Sequence, residues 1–315
     1  MAKRSFTRTQ QIERSLVTDF RYPIWRKFTR AIDEYQLLAP NDKVCVCISG
    51  GKDSMLLALL FKHLHRYSKY PFEVRYLVMN PGYNQKNLDL ILQNLRTLDI
   101  PATVVETDIF EIANQQTESP CYLCAKMRRG ALYRIAKSWG CNKIALGHHY
   151  DDVIETTLMN LLNAGSFQTM LPKLHSDHYS GMELIRPLYL VREADIIAFA
   201  KQNELTFIRC ACRFTEEASS HAESSKRLQT KLLIQELKEK YSPYIEKNIF
   251  QSASNVSKDM ILGYKDEEGF HSFLDDYEAK GKALDEKIKA SGIEEQALAK
   301  AEREHRPLKI EETKE

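Results

Sequence analysis

The chain has 315 residues, 43% of them hydrophobic, and a formal net charge of only +2. A globular protein of one large domain or two ordinary ones, with a substantial core, is expected from those values. They exclude a polyionic or disordered chain, and no run reaches membrane-spanning length. The first twenty residues carry basic side chains with no apolar stretch behind them, so a cytoplasmic location is expected, without membrane attachment. Seven cysteines in such a compartment do not read as a disulfide framework.

In chain order, residues 1–40 form a basic arm: Lys3, Arg4, Arg8, Arg14, Arg21, Arg26, Lys27 and Arg30 face only Glu13 and Asp19 up to residue 30. Such an arm attracts polyanions. Ile12, Leu16, Phe20, Ile24, Phe28 and Ile32 recur at helical spacing, and Pro23 interrupts them, which predicts two short helices. From residue 41 strands and helices alternate. Strands are predicted at KVCVCIS, EVRYLVMN, ATVVETD and NKIALG, with helices at DSMLLALLFKHLHRYS, QKNLDLILQNLRTLD, AKMRRGALYRIAKSWG and DDVIETTLMNLLNAG. MELIRPLYLVREADIIAFAKQNEL adds a strand-like piece and a helix. This alternation predicts a doubly wound, mainly parallel α/β sheet over residues 41–215. Beyond it the sheet signal stops. Residues 216–264 read as helices, and residues 265–315, with 15 acidic and 10 basic residues, as a charged helical or partly disordered tail.

The first strand runs into Ser49, Gly50, Gly51, Lys52, Asp53 and Ser54, then into a helix. A glycine turn at that place presents backbone N–H groups and a helix N-terminus to an anion. The Walker pattern would need glycine at Val46 and Ser or Thr at Asp53, and the G-x-G-x-x-G fingerprint lacks its third glycine. Asp53 or Ser54 acting only as an N-cap would not require Gly-Gly between two serines. The hexad resembles the PP-loop of N-type ATP pyrophosphatases. In those enzymes it grips the pyrophosphate end of ATP, and AMP is transferred to an oxygen. The resemblance implies a HUP-like fold, with the serine hydroxyls and Lys52 on phosphate oxygens and Asp53 holding Mg²⁺.

Cys121 and Cys124 form a lone C-x-x-C immediately before a predicted helix. By itself it suits a redox pair, half a zinc site or half an iron–sulfur site. No second C-x-x-C occurs, and a third thiolate is available only from RCACR at 209–213. Zinc with a histidine as fourth ligand stays open. Cys45, Cys47 and Cys141 lie in apolar strands or beside one and read as packing.

A second polar cluster, GHHYDD, again joins strand to helix and puts His148, His149, Asp151 and Asp152 at a strand's carboxyl end, where open α/β sheets bind ligands. One of the aspartates is expected to cap the helix. Gly147 and His148 are expected at the ATP. Arg128 and Arg129 follow the cysteines by about one turn, a placement suited to phosphate or developing negative charge.

In this order, SGGKDS, PCxxC followed by RRG, GHHYDD and a late cysteine resemble the tRNA 2-thiocytidine synthetase family over about residues 20–240. IRPLYLVRE, with Arg186, Pro187 and Arg192, matches that family as well. The resemblance implies a tRNA sulfurtransferase that adenylates C2 of cytidine 32 in the anticodon stem-loop and delivers sulfur at a [4Fe–4S] cluster. It implies Cys121, Cys124 and Cys210 as cluster ligands, and Asp152, Lys52, Asp53 and Arg128 as catalytic residues. The family pattern has two residues between its late cysteines. Here Cys210 and Cys212 are separated by one, so either can be the third ligand. The implied partners are tRNA, a cysteine desulfurase or other sulfur donor, and a second copy in a homodimer. Rival readings are a lysidine synthetase, a uridine-thiolating enzyme, and a non-catalytic iron–sulfur sensor that binds RNA.

Overall fold

In a computed structural model, residues 6–114, 120–208 and 226–303 are described. Cys210 and Cys212 lie outside those residues, as does the side chain of Cys121. The chain divides into two compact units, residues 1–254 and 255–315.

The core of the first unit is a six-stranded sheet in the order β3-β2-β1-β4-β6-β5. It is built from β1 (Lys43–Ile48), β2 (Glu73–Asn80), β3 (Ala102–Glu106), β4 (Lys143–Ala145), β5 (Lys173–His175) and β6 (Glu183–Ile185). All neighbours pair in parallel except β5 on β6. The crossovers are α3 (Lys52–Tyr67) after β1, α4 (Gln85–Leu98) after β2, and α5 (Ile109–Asn114) with α6 (Pro120–Ser138) after β3. The order reverses between β1 and β4, so the crevice at their carboxyl ends is the topological switch point, the usual ligand site of such sheets.

The strands are apolar on both faces because both are covered. Along β1, Val44, Val46 and Ile48 join one buried cluster with Phe61 and Ile91, whereas Cys45 and Cys47 join another with Tyr133, Ala136 and Cys141. The period of two thus divides one strand between two helical layers. The hydrogen bond to Cys45 and burial push the Cys141 thiol up and keep it protonated.

The apolar stripe of the basic arm belongs to this core. Ile12, Leu16, Phe20, Ile24 and Phe28 are buried with the α3 side of the sheet. The arm forms α1 (Arg8–Val17), a π-helical turn over Arg21–Trp25, and α2 (Arg26–Glu34). Pro23 sits within that turn, where the missing N–H costs least. Several of its cations are already engaged inside the chain: Lys27 Nζ meets Asp195 Oδ2 at 3.0 Å, and Arg30 Nε meets Glu34 Oε2 at 2.8 Å.

Three further differences from the sequence expectation appear. The helix that carries the C-x-x-C begins at Pro120, so positions 121 and 124 lie in its first turn rather than ahead of it. Proline suits that opening position, whose N–H has no helical partner in any case. The edge strand β5 was not expected; it has three residues and exists only through pairing with β6. Past α7 (Tyr150–Ala164), α8 (Glu193–Gln202), α9 (Lys226–Lys240) and α10 (Ile245–Ser252), the second unit holds a hairpin of β7 (Gly263–Asp266) and β8 (Gly269–Ser272), where no sheet was expected. Its turn is Glu267–Glu268, without the Asn-Gly or Asp-Gly signature of tight hairpins. Two helices follow, α11 (Tyr277–Ser291) and α12 (Ile293–Arg303). No helix among the described residues is long and apolar enough to cross a membrane.

Candidate active site

Residues 49–51 join β1 to α3. Gly50 has φ +84°, and an added Cβ would meet Ile91 Cγ1 at 2.5 Å, so only glycine fits there. Gly51 is the N-cap of α3 and contributes no side-chain cap. Ser54 instead ties the loop to the helix: its hydroxyl donates to the Gly51 carbonyl at 3.0 Å and accepts from the Ser49 N–H at 3.1 Å. The Ser49 and Ser54 hydroxyls stand 3.1 Å apart. The loop is therefore closed on itself, with the α3 N-terminus at its base.

The second strand end abuts this loop. A Cβ on Gly147 would lie 3.0 Å from both Asp53 C and Ser54 N, so β4 and the start of α3 meet without room for a side chain. His149 caps α7: its N–H donates to Asp152 Oδ2 at 3.0 Å, and Asp152 N–H donates to His149 Nδ1 at 3.4 Å. The cap is thus the histidine, with Asp152 as its reciprocal partner. Asp151 serves another end, accepting from Arg192 Nη2 at 2.9 Å and from the Glu193 N–H at 2.7 Å. Arg192 also bonds Glu246 and lies over the Tyr150 ring, tying α10 to α7. Its place is structural.

Ser49, Asp53, Ser54, Arg128, Gly147, His148 and Asp152 line one cavity of about 450 Å³ together with Arg129 and Ala125. Gly50, Gly51 and Lys52 do not line it. Cys47, read from the sequence as packing, does. Positions 121 and 124 are one turn apart at the N-terminal end of α6, the helix that supplies Ala125, Arg128 and Arg129. No group of three His, Cys, Asp or Glu that could hold a metal occurs among the described residues. Paired thiols on one helical turn are nonetheless the donor type an iron–sulfur cluster takes.

Lys52 Nζ is held between Asp53 Oδ2 at 3.1 Å and Glu193 Oε1 at 3.0 Å. Burial alone would lower the Lys52 ammonium, but the Asp53 and Glu193 carboxylates outweigh it and raise it. Burial raises Asp53 despite the nearby His149 and Lys52 charges. Asp53 Oδ1 is buried with no hydrogen-bond partner among the described residues, 3.7 Å from His149 Nε2. An oxygen so placed fits a hard divalent cation or its water.

Sequence reasoning missed the outer shell. Glu193 accepts from both Lys52 and Lys231. Burial would raise its carboxyl, yet those two hydrogen bonds hold it at about 2. Arg227 Nη1 bridges Asp152 Oδ1 at 3.1 Å and Glu155 Oε2 at 3.0 Å. The available signal was two complementary pairs on separate helices: Arg227 and Lys231 at i, i+4, and Asp152 and Glu155 at i, i+3.

The family model described as PP-loop domain matches residues 23–213. The tRNA-cytidine(32) 2-sulfurtransferase of Geotalea uraniireducens is 34% identical over 74% of this chain and 91% of its own length. That of Acaryochloris marina is 36% identical over 72% of this chain and 78% of its own. Among solved structures, the U34-tRNA thiolase NcsA from Methanococcus maripaludis with its [4Fe-4S] cluster shares the fold. It has a TM-score of 0.57 at 20% identity, covering 73% of this chain and 76% of that one. The sheet with its switch-point cavity, the loop that only glycine can form and these relatives agree, and the chain belongs to the tRNA-cytidine(32) 2-sulfurtransferase family of PP-loop proteins.

Proposed function

We propose that the chain is an ATP-dependent tRNA sulfurtransferase that converts cytidine 32 of the anticodon loop to 2-thiocytidine, with release of AMP and pyrophosphate. The observation that carries this reading is the convergence on one cavity of Ser49, Asp53 and Ser54 from the SGGKDS loop, the GHHYDD strand end and the helix that carries positions 121 and 124 in its first turn. The names of the relatives support the substrate and the base.

In this reading the cytosine O2 attacks the α-phosphorus of ATP and pyrophosphate leaves. Sulfur then bonds to C2, and the C2–O bond breaks with departure of AMP, so the oxygen leaves on the nucleotide. The Ser49 and Ser54 hydroxyls, the N–H groups at Gly50 and Gly51, and Lys52 hold the phosphate oxygens. Gly147 and His148 border the nucleotide. Asp53, whose Oδ1 has no hydrogen-bond partner among the described residues, would hold Mg²⁺. Asp152 orients the reacting base, and Arg128 offsets negative charge developing on the leaving groups. Cys121, Cys124 and Cys210 would hold a [4Fe–4S] cluster, which when bound would supply the sulfur-transfer chemistry. A cysteine desulfurase or another donor delivers that sulfur. The basic arm and parts of the C-terminal helices hold the tRNA backbone, a salt-sensitive interaction, and the protein works in the cytoplasm, with homodimerisation as a further part of the proposal.

Mass spectrometry of tRNA from a deletion strain tests the reading: 2-thiocytidine is expected to vanish and to return with the wild-type chain. Unchanged thiocytidine refutes it. Cys124→Ser separates the lysidine rival, whose chemistry needs no cysteine and would persist. Release of AMP and pyrophosphate from ATP in the presence of tRNA separates the enzyme from an RNA-binding sensor.

A further inference from the structure

The cavity has a second polar wall that the SGGKDS loop does not use. Arg128 and Arg129 both line it, and neither has a hydrogen bond or ion pair among the described residues. The other cations near the site are committed, Lys52 to Asp53 and Glu193, and Arg227 to Asp152 and Glu155. Directly after β6, the neighbour of β4 in the sheet, stands Arg186. Its Nη1 donates to the Leu171 carbonyl, while its Nε is buried with no partner among the described residues. The same is true of His148 Nδ1 at the end of β4. The ends of β1 and β4 thus carry polar groups into the cavity, the end of the adjacent β6 places Arg186 close enough to His148 and Arg129 for their charges to bear on one another, and both His148 and Arg186 hold a buried nitrogen without a partner among the described residues.

Charge accumulates there as well. Burial first, and the like charge of Arg129 less strongly, lower the Arg186 guanidinium to about 10. Burial and the Arg186 charge lower the His148 imidazole to about 4, so it is neutral at physiological pH. Of the carboxylates, Asp152 bears on both groups, but it already accepts from Arg227 and from the His149 N–H.

We propose that Arg129 and Arg186, together with His148 where it borders the nucleotide, form a second phosphate site beside the SGGKDS loop, on residues that loop does not use, and that it takes a backbone phosphodiester of the substrate RNA next to the target nucleotide. The inference rests on the RNA-modifying reading above. A phosphodiester offers oxygens that only accept, which suits the Arg186 Nε–H and the N–H of a neutral His148 in its Nδ1–H tautomer. It also brings the negative charge that an uncompensated arginine pair favours, which a neutral base edge would not. The phosphates of ATP have their own cradle at residues 49–54. A phosphodiester held here fixes the register of the RNA while the base reaches the nucleotide.

The test uses the full chain with a fluorescein-labelled anticodon stem-loop RNA, titrated without ATP between 50 and 200 mM KCl, and a fluorescent ATP analogue titrated separately. Arg129→Ala and Arg186→Gln are each expected to lower the slope of log Kd against log salt by about 0.7–0.9, one phosphate contact. RNA Kd should weaken about tenfold, and ATP affinity should stay within about twofold of wild type. An unchanged salt slope overturns the proposal. So does a fall in ATP affinity with RNA binding intact, which would make the nucleotide the source of the phosphate. If buried Arg186→Gln does not fold, Arg129→Ala on the exposed side of α6 decides alone. A wild-type chain that does not bind the stem-loop refutes the RNA-modifying reading itself, whereas binding with unchanged variants refutes this subsite only.

Discussion

Replacing Gly147 with alanine tests whether the two strand ends share one rigid site. The new Cβ would lie 3.0 Å from Asp53 C, 3.0 Å from Ser54 N and 3.2 Å from Ser54 Cα. All three are backbone atoms, so no rotamer change relieves the contact; the strand end or the helix start must retreat by about 0.4 Å to reach ordinary separation. Neither side yields easily. Lys143, Ile144 and Ala145 pair with β1 and β6, and α3 continues through an unbroken buried run from Ser54 to Phe61. Overpacking of this kind costs about 1–3 kcal/mol, which in a domain of this size lowers Tm by roughly 2–10 °C. The displaced backbone is that of Asp53 and Ser54, so ATP affinity should fall by more than the stability loss explains, at least tenfold by the geometric sensitivity of such sites. Gly130→Ala is the control. It lies inside α6 with nothing within 4 Å of an added Cβ, and it should stabilise by up to about 1 kcal/mol. Thermal melts and nucleotide titrations of the two variants are compared. If Gly147→Ala melts and binds ATP like wild type, the loop and the GHHYDD strand end are not in mutual contact, and the single-site argument fails.

Other outcomes follow from the outer shell and the cysteines. Glu193 sits near 2 rather than at its ordinary 4.5, so its ionised form stabilises the fold above pH 4.5 and that contribution drains away as pH falls toward 2. After a discount for partial exposure, Glu193→Gln should cost about 1–2 kcal/mol at pH 7. In urea titrations the gap to wild type should narrow between pH 4.5 and 3; a pH-independent gap refutes the linkage. A double-mutant cycle of Arg227→Ala with Glu155→Gln should return a coupling of about 1 kcal/mol, read from thermal melts, and a coupling of zero would mean that the α7–α9 bridge contributes nothing. Cys124→Ser, purified without oxygen, should lose most of its iron and its visible absorption while retaining ATP binding; full iron content in that variant would remove Cys124 from the ligand set.

Local pattern carried much of this molecule. The alternation of Val44, Val46 and Ile48 with Cys45 and Cys47 foretold a strand covered on both faces, because side chains on an extended backbone point alternately to opposite sides. The unusual Gly-Gly between serines marked the loop, since the backbone at Gly50 demands a positive φ that side chains resist. What depended on long-range pairing was not legible in advance. Strand β5 is three residues that extend only because β6 lies beside them, and the β7–β8 hairpin turns on Glu267–Glu268, which in isolation reads as charged helix. Position 149 read as one of four polar candidates, and only the folded helix start makes it the cap and Asp152 its partner. The same holds for Glu193, Arg227 and Lys231, whose ordinary charges acquire meaning when α8 and α9 bring them to Lys52 and Asp152. Sequence alone determined which backbone segments could grip a phosphate, because that chemistry is local. The tertiary structure decided which charges neutralise one another and which, like Arg128 and Arg129, line the cavity without an ion pair among the described residues, because pairing is settled by distances between elements far apart in the chain.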